Sequence, residues 1–261
     1  MRWLVSVALG AGVSVAAYRR QSLTADGAMA ATLVGGVVFA RGGLSAAAAL
    51  LTFFVSSSAL SGFRGRAKAG AQAKGGRRDA WQVLANGGWA TLWVGLGGQR
   101  GVGGYLGGLA AAAADTWGTE LGMLARHPPR LITSLTVVPA GTSGGVTLEG
   151  LAAGVGGALF VGLASLVGRR ELSLARLTIA VVAGMVGSLV DSLLGATLQA
   201  VYWCDGCAEA TERRVHARCG RPARRVGGLS WVNNDVVNGL ATLVGSLVGA
   251  RLWQSIRSRH V

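Results

Sequence analysis

The sequence predicts an all-α integral membrane protein, a polytopic bundle of seven to eight transmembrane helices. About half of its 261 residues are hydrophobic (51%) and only 14% are charged, whereas soluble domains average about 25% charged residues. Apolar runs close to the roughly 20 residues that a membrane helix needs recur along the chain. We therefore predict a single membrane domain, residues 1–261.

Eight apolar runs are predicted to span the membrane: 3–17, 23–40, 43–60, 81–98, 101–121, 146–168, 174–202 and 232–253. The first run follows Arg2 as a signal peptide would, but no small-residue cleavage site precedes Tyr18, so we predict a retained helix. Small residues spaced by four, such as Gly150 and Gly154, predict that helices pack closely.

The distribution of basic residues predicts how the bundle is oriented. The net charge is +14, and sixteen of the 25 Lys and Arg lie in four segments that eight spans would place on one side: 18–22, 61–80, 122–145 and 203–231. The positive-inside rule assigns this side to the cytoplasm. The basic residues are spread over membrane loops without a recognition module, so we predict no nucleic-acid binding. The basic loop 61–80 could instead bind anionic headgroups or phosphates.

Asp191 is a carboxylate in the middle of an apolar run from Leu177 to Trp203. An ionisable group at membrane depth costs at least a few kcal/mol, and chains keep one mainly where it faces a polar cavity, a partner or a bound ion. The sequence therefore predicts a functional role for Asp191.

A second acidic motif, ADTWGTELG, ends the fifth run. In a helix Asp115 and Thr119 share one face, and Glu120 is within reach of the same cavity. Paired carboxylates at a membrane surface suit a magnesium ion that also carries substrate phosphates. The alternative is a helix end that simply meets water.

Residues 139–150, PAGTSGGVTLEG, form a loop rich in glycine, threonine and serine that leads into an apolar helix. Backbone N–H groups of such a loop and the positive end of the following helix form an anion site. No lysine follows the glycines, so the loop is not a Walker A motif. A simple turn into a membrane helix is the alternative.

The segment 203–230 contains a Cys-x-x-Cys pair followed by a His-x-x-Cys pair: Cys204, Cys207, His216 and Cys219. Three thiolates and an imidazole can form a closed tetrahedral zinc site. A disulfide is not expected on the cytoplasmic side, where thiols stay reduced. The sequence predicts a structural zinc ion here, with free thiols as the alternative.

The last span opens with WVNNDVVNG. Asn234, Asn238 and Thr242 recur every four residues and form a polar stripe on one helix face. Such stripes serve helix association as well as ligand binding. Because several carboxylates accompany this stripe, we predict that it faces a cavity for a divalent metal and a phosphorylated ligand.

Several of these strings, in order and over nearly the whole chain, resemble a membrane family known as domain of unknown function ninety-two. The strings are LTADGA from Leu23, FFVSSS from Phe53, QVLANGG from Gln82, ADTWGTELG from Ala114, GTSGGVT from Gly141, GSLVDSLLGATLQ from Gly187 and NNDVVN from Asn233. That family includes the chloroplast phytyl-phosphate kinase, and it is distantly similar to CTP-dependent dolichol, phytol and diacylglycerol kinases.

The resemblance implies an integral membrane kinase that passes the γ-phosphoryl group of CTP or another nucleoside triphosphate to an isoprenoid monophosphate. Such transfer needs metal, positive charge and positioning. Catalytic or magnesium-binding roles would fall to Asp115, Glu120 and Asp191. Nucleotide contacts would fall to Thr142, Ser143, Gly144, Asn234, Asp235 and Asn238. Phosphate or headgroup contacts would fall to Arg77, Arg78 and Asn86. We expect a plasma-membrane protein whose active site faces the cytoplasm and whose partners are membrane lipids, the isoprenoid phosphate and the nucleotide.

Two other classes of function remain open. A transporter or channel would use Asp191 and the asparagine stripe as an ion or substrate site inside the membrane. A noncatalytic assembly partner would use the same residues for helix packing. The polar motifs cluster toward the predicted cytoplasmic ends, where a soluble nucleotide can reach them, and this placement favours the kinase.

Overall fold

A computed structural model describes residues 2–67, 77–169 and 172–258. The described chain forms seven helices: α1 Arg2–Arg19, α2 Ala25–Ala67, α3 Ala80–Leu96, α4 Gly98–Gly122, α5 Leu148–Ala164, α6 Leu174–Thr197 and α7 Asn234–Arg257. Five short strands accompany them: β1 Arg130–Leu131, β2 Gly145–Val146, β3 Val201–Cys204, β4 Glu209–Thr211 and β5 Arg224–Gly227. The predicted helical bundle is thus confirmed, while the count of seven to eight membrane spans stays a prediction.

Helix α2 is interrupted at Gly43, whose φ of 67° and ψ of −167° are not helical. Glycine tolerates this conformation because it lacks a Cβ atom. The two halves of α2 correspond to the predicted runs 23–40 and 43–60. Within the described residues, three stretches are long and apolar enough to cross a membrane: Ala25–Phe63, Leu174–Thr197 and Asn234–Arg257.

Helix α4 lies at the centre of the bundle and contacts α3, α5, α6 and α7. Its residues from Gly103 to Ala114 are all buried, and most of them are glycine or alanine. These small side chains let the backbones of neighbouring helices approach closely, which is how helices associate where lipid provides no hydrophobic drive. Helix α1, in contrast, packs mainly against α2.

The bundle has two ends that differ in chemistry. We call the first the acidic end. It contains the C-terminal ends of α1, α2, α4 and α6 and the N-terminal ends of α3, α5 and α7. Contacts that define it include the backbone bridge between Leu23 and Arg78 and the close approach of Gly150 to Gly118. At the opposite end the Ser45 hydroxyl donates to the Ser165 carbonyl. The segments 18–22, 122–145 and 203–231, with the described parts of 61–80, all lie at the acidic end, as predicted.

The strands correct the expectation of an all-α protein. Strands β1 and β2 form one antiparallel pair, and β4, β3 and β5 form a three-stranded sheet in that order. The predicted span 174–202 is also too long, because α6 ends at Thr197 and Val201–Cys204 form the central strand of that sheet. Asp191 is therefore in the last third of its helix and not at the middle of the predicted span.

The basic segment 61–80 is only partly a loop. Helix α2 continues through Ala67, and Arg77 and Arg78 lead directly into α3, whose first residue is Ala80. Asp79 caps α3 by accepting a hydrogen bond from the Gln82 backbone N–H. Residues 68–76, which belong to the basic loop predicted to bind anionic headgroups or phosphates, lie outside the described residues.

Candidate active site

Two aspartates meet where α4, α6 and α7 come into contact at the acidic end. A Cβ atom at Gly187 would collide with Ala111 of α4 and with the Ala241 carbonyl of α7. Asp115 and Asp191 each lie one helical turn beyond this contact, on the same helix faces as Ala111 and Gly187. Close helix packing thus brings together two carboxylates that are 76 positions apart in the chain.

The two carboxyl groups lie within hydrogen-bonding reach of each other. Glu212 is close enough to act electrostatically on both aspartates, and Glu120 acts on Asp115. The Oδ2 atom of Asp191 is buried and has no hydrogen-bond partner among the described residues. Neighbouring carboxylates repel each other unless a proton or a cation lies between them. The oxygen-rich cluster fits a hard cation such as magnesium, which prefers carboxylate oxygens.

Glu120 connects the cluster to α2 and to the start of α3. Ser61 donates a hydrogen bond to Glu120 Oε1 at 2.8 Å, and Arg78 interacts electrostatically with the same carboxylate. Burial lowers the pKa of Arg78 to about 10, and Glu120 opposes this shift. Arg78 is therefore charged at neutral pH and is held above the rings of Phe53 and Phe54.

The predicted anion loop reaches the same site. Gly144 has a φ of 77°, and a Cβ atom there would collide with Ala196 and with the Ser192 carbonyl near the end of α6. Ser143 donates a hydrogen bond to Glu212 Oε1 at 2.5 Å. Thr142 donates to the Pro139 carbonyl and is exposed. The loop thus lies against the helix that carries Asp191.

The first turns of α7 and α3 bring amide side chains to the acidic end. Asn233 caps α7, and Asn234, Asp235 and Asn238 are partly buried in its first turns. Thr242 donates to the Ala85 carbonyl of α3 at 2.6 Å, which places Asn86 at the level of the polar stripe. The Asn86 amide itself donates to the Gln82 carbonyl.

Arg77 and Arg78 have different environments. Arg77 donates from Nε and Nη2 to the Leu23 carbonyl, at 3.1 and 3.0 Å, and lies above the ring of Tyr18. These contacts tie the start of α3 to the turn between α1 and α2. Of this adjacent pair, Arg78 is therefore the better candidate for a phosphate contact.

An apolar cavity adjoins the acidic end between α1, α2 and α3, with about 70 Å³ of space accessible to the centre of a water molecule. Phe39, Leu51 and Phe54 are among the side chains that line it. Its polar lining includes Arg78 and Asn86 at the start of α3. The cavity and the carboxylate cluster therefore share Arg78 as a common boundary.

The remaining predicted ligands also come together. Cys204, Cys207, His216 and Cys219 place one ligand atom each within 4.8 Å of one another. The carboxylate cluster also contains two residues that the sequence did not reveal, Glu212 and Ser61. Glu212 lies among arginines in the Cys/His segment, and no spacing in the sequence indicates that it folds back onto Asp115 and Asp191.

Comparison with known proteins identifies relatives of this chain. Residues 8–246 match the family described as integral membrane protein DUF92. Protein PGR of Arabidopsis thaliana is 31% identical over 95% of this chain and 94% of its own length. Uncharacterized membrane protein MJ0933 of Methanocaldococcus jannaschii is 28% identical over 97% of this chain and 95% of its own length.

A second plant relative matches only in part. Protein VTE6, chloroplastic, of Arabidopsis thaliana is 25% identical over 60% of this chain and 40% of its own length. No solved structure matches this chain.

Proposed function

We propose that this chain, which belongs to the DUF92 family of integral membrane proteins, is a lipid kinase. It transfers the γ-phosphoryl group of CTP or another nucleoside triphosphate to an isoprenoid monophosphate such as phytyl or geranylgeranyl phosphate. A phosphate oxygen of the acceptor forms the new bond to the γ-phosphorus, the bond to the β-phosphate oxygen breaks, and the nucleoside diphosphate leaves. The product is the isoprenoid diphosphate.

The observation that carries this proposal is the carboxylate cluster at the acidic end. Asp191 presents a buried oxygen that has no hydrogen-bond partner in the described part of the chain, and Asp115 lies beside it. Asp115, Asp191 and Glu120 would hold magnesium, which when bound offsets the negative charge of the transferring phosphoryl group. Phosphoryl transfer needs mainly such electrostatic stabilisation and positioning.

Two neighbouring elements can bind the nucleotide. Thr142, Ser143 and Gly144 precede the start of α5, where backbone N–H groups and the helix dipole favour phosphate. Asn234, Asp235 and Asn238 belong to the first turns of α7, and their side chains can contact the base or ribose or complete the metal site. Both elements lie at the acidic end, so one nucleotide could reach the loop and α7 together.

The apolar cavity is the proposed entry point for the hydrocarbon chain of the acceptor. Its lining is almost entirely apolar except near Arg78, Gln82 and Asn86. A chain bound there would present its phosphate to Arg78, which also lies next to Glu120. Arginine binds phosphate well because its planar guanidinium donates several hydrogen bonds in a fixed geometry. The acceptor phosphate would then face the carboxylate cluster.

We further propose that the bundle spans the plasma membrane seven or eight times with the acidic end in the cytoplasm. The four segments with sixteen of the 25 Lys and Arg support this orientation. It also gives the nucleotide access to the site. A transporter would need a path from Asp191 to both ends, whereas the polar contacts described for Asp191 all lie toward the acidic end.

The test is a direct assay of the purified full-length protein. We would incubate it with magnesium, each γ-labelled nucleoside triphosphate, and phytyl or geranylgeranyl phosphate, and separate the products by chromatography. We expect magnesium-dependent formation of the diphosphate. Absence of this product with every donor and both acceptors would overturn the proposal.

Variants of the cluster sharpen the same assay. Asp115→Asn and Glu120→Gln should lower the rate by about 100-fold or more, since loss of a metal ligand costs several kcal/mol of transition-state stabilisation. Asp205→Asn is a matched control, because this exposed carboxylate pairs with Arg224 outside the cluster and outside the anion loop. The control should keep activity to within about twofold. Wild-type turnover in both cluster variants would reject their assigned roles.

A further inference from the structure

We infer that Cys204, Cys207, His216 and Cys219 bind one structural zinc ion, and that this ion fixes the segment that places Glu212 at the carboxylate cluster. The inference rests on the geometry of the Cys/His segment and not on the kinase activity. It assigns a second metal site, of different chemistry from the carboxylate cluster, to the same end of the bundle.

Two tight turns present the four ligands. Cys204 ends β3, the Cys207 N–H donates to the Cys204 carbonyl at 3.2 Å, and Ala208 takes a positive φ of 53° just before β4. In the second turn the Gly220 N–H donates to the His216 carbonyl and the His216 N–H to the Arg221 carbonyl, both at 2.9 Å. Each turn thus directs two ligands toward the other.

The spacing of the ligand atoms suits a tetrahedral zinc ion. Cys204 Sγ lies 3.5 Å from Cys219 Sγ, which lies 3.4 Å from His216 Nδ1. With Zn–S bonds of about 2.3 Å and Zn–N bonds of about 2.0 Å, a regular tetrahedron has S–S edges of about 3.8 Å and S–N edges of about 3.5 Å. A disulfide would instead need the sulfurs about 2.0 Å apart.

The surroundings of His216 match those of a zinc ligand. The ring is buried, with 7% of its surface exposed, and Nδ1 faces the sulfurs. The other nitrogen, Nε2, lies 3.5 Å from Glu209 Oε2. A ligating histidine usually donates its second N–H to a carboxylate or carbonyl, which fixes the tautomer and the ring orientation. Glu209 pairs with Cys204 across β3 and β4, so the sheet holds this carboxylate in place.

The charges near the four ligands also fit. Zinc with three thiolates and a neutral imidazole carries a net charge of −1. The Arg218 guanidinium lies within hydrogen-bonding reach of Cys207 and 3.4 Å from Glu209. The backbone of Arg221 makes a hydrogen bond to Cys219. These groups can balance the charge of the complex at the protein surface.

A zinc ion would explain how the Cys/His segment is ordered and how Glu212 is held at the carboxylate cluster. The strands of the sheet are only three or four residues long, and such short strands do not form a stable unit without a cross-link or metal. Glu212 directly follows β4, where it meets Ser143 and acts on Asp115 and Asp191. Folding of the segment around zinc would therefore hold Glu212 next to Asp115 and Asp191.

Metal analysis of the purified full-length protein tests the site. With an affinity tag that contains no histidine, we expect about one zinc per chain, and below about 0.1 in Cys204→Ser and His216→Ala, because a closed structural site loses its affinity with one ligand. His127→Ala is the matched control, since His127 is exposed and outside the cluster, and it should retain the metal. Wild-type protein without stoichiometric zinc, or with equal zinc in all variants, would overturn the inference.

A second measurement on wild-type protein avoids variants that fail to fold. A strong zinc chelator should make all three thiols reactive and should speed tryptic cleavage within residues 213–225, while the membrane helices stay intact. Added zinc should restore protection. Thiols and cleavage that are the same with and without chelator would show that zinc does not order the segment.

Discussion

The two ends of the bundle differ in which charged residues they contain. Ten of the eleven Asp and Glu residues lie at the acidic end, and the eleventh, Glu171, is outside the described residues. At the opposite end, the described charged side chains are all arginines: Arg41, Arg100, Arg169, Arg176, Arg251 and Arg257. The acidic end thus combines carboxylates with most of the basic residues of the chain, whereas the described charges at the opposite end are all positive.

The ends differ further in how they satisfy a buried charge. Arg176 is 5% exposed, and its guanidinium donates to Ser45 Oγ and the Ser165 carbonyl, both at 3.3 Å, and lies above the Trp253 ring. Asp191 instead keeps a buried oxygen with no hydrogen-bond partner among the described residues. An unpaired buried polar group costs about 1–3 kcal/mol. The fold itself provides hydrogen-bond partners for Arg176, which indicates a structural role. The unpartnered oxygen of Asp191 instead indicates a binding site for a ligand or an ion.

The largest expected effect comes from Asp191→Asn, which removes the charge and keeps the shape. We expect the rate of phosphoryl transfer to fall by about 100-fold or more, because loss of one group that stabilises charge in the transition state has an effect of this size. The melting temperature should stay the same or rise, because the amide relieves a buried charge. Initial rates and thermal unfolding in detergent would check both. A destabilised but fully active variant would show that Asp191 is structural, like Arg176.

A smaller effect is expected at Arg78, the boundary between the apolar cavity and the cluster. Arg78→Lys keeps the charge but loses the planar guanidinium. KM for the isoprenoid phosphate should therefore rise about tenfold, which corresponds to the free energy of one hydrogen bond to a charged group. Arg77→Lys is the neighbouring control. It should change KM little, because Arg77 contacts the Leu23 carbonyl and Tyr18. Equal changes in the two variants would contradict the assignment of Arg78 to the acceptor phosphate.

The smallest effect on activity is expected at the opposite end. Arg176→Gln should leave kcat near that of the wild type but lower the free energy of unfolding by about 2 kcal/mol, since hydrogen bonds to a charged group and a cation–π contact are lost. Denaturant unfolding and the kinase assay would measure the two effects separately. A large loss of activity without loss of stability would mean that the opposite end takes part in the reaction.

Some of this arrangement could be predicted from the sequence. The break at Gly43 falls at the predicted boundary between two spans, and the positive φ angles of Gly97 and Gly98 separate α3 from α4 near the predicted boundary at 98. Glycine marks both positions because it tolerates such angles. Periodicity and composition therefore located these helices well.

Other features could not be predicted, for physical reasons. The string VYWC continues the apolar run of α6, and a short apolar run does not distinguish a strand from a helix. It becomes β3 because β4 and β5, which follow it in the chain, pair with it. Glu212 was missed for a related reason, since its place beside Asp115 depends on the folding of the whole Cys/His segment.

The contact between α4 and α7 has a mechanical consequence. A Cβ atom at Gly103 would collide with the Gly249 carbonyl, and one at Gly107 with the Gly245 carbonyl, so the two backbones touch along two turns. Backbones in such contact cannot slide or tilt past each other without separating. The pair therefore forms a rigid unit within the bundle, and α4 carries Asp115 beyond this contact. If the proposed lipid acceptor enters between helices, we expect α1, which packs mainly against α2, to move and the α4–α7 pair to stay in place.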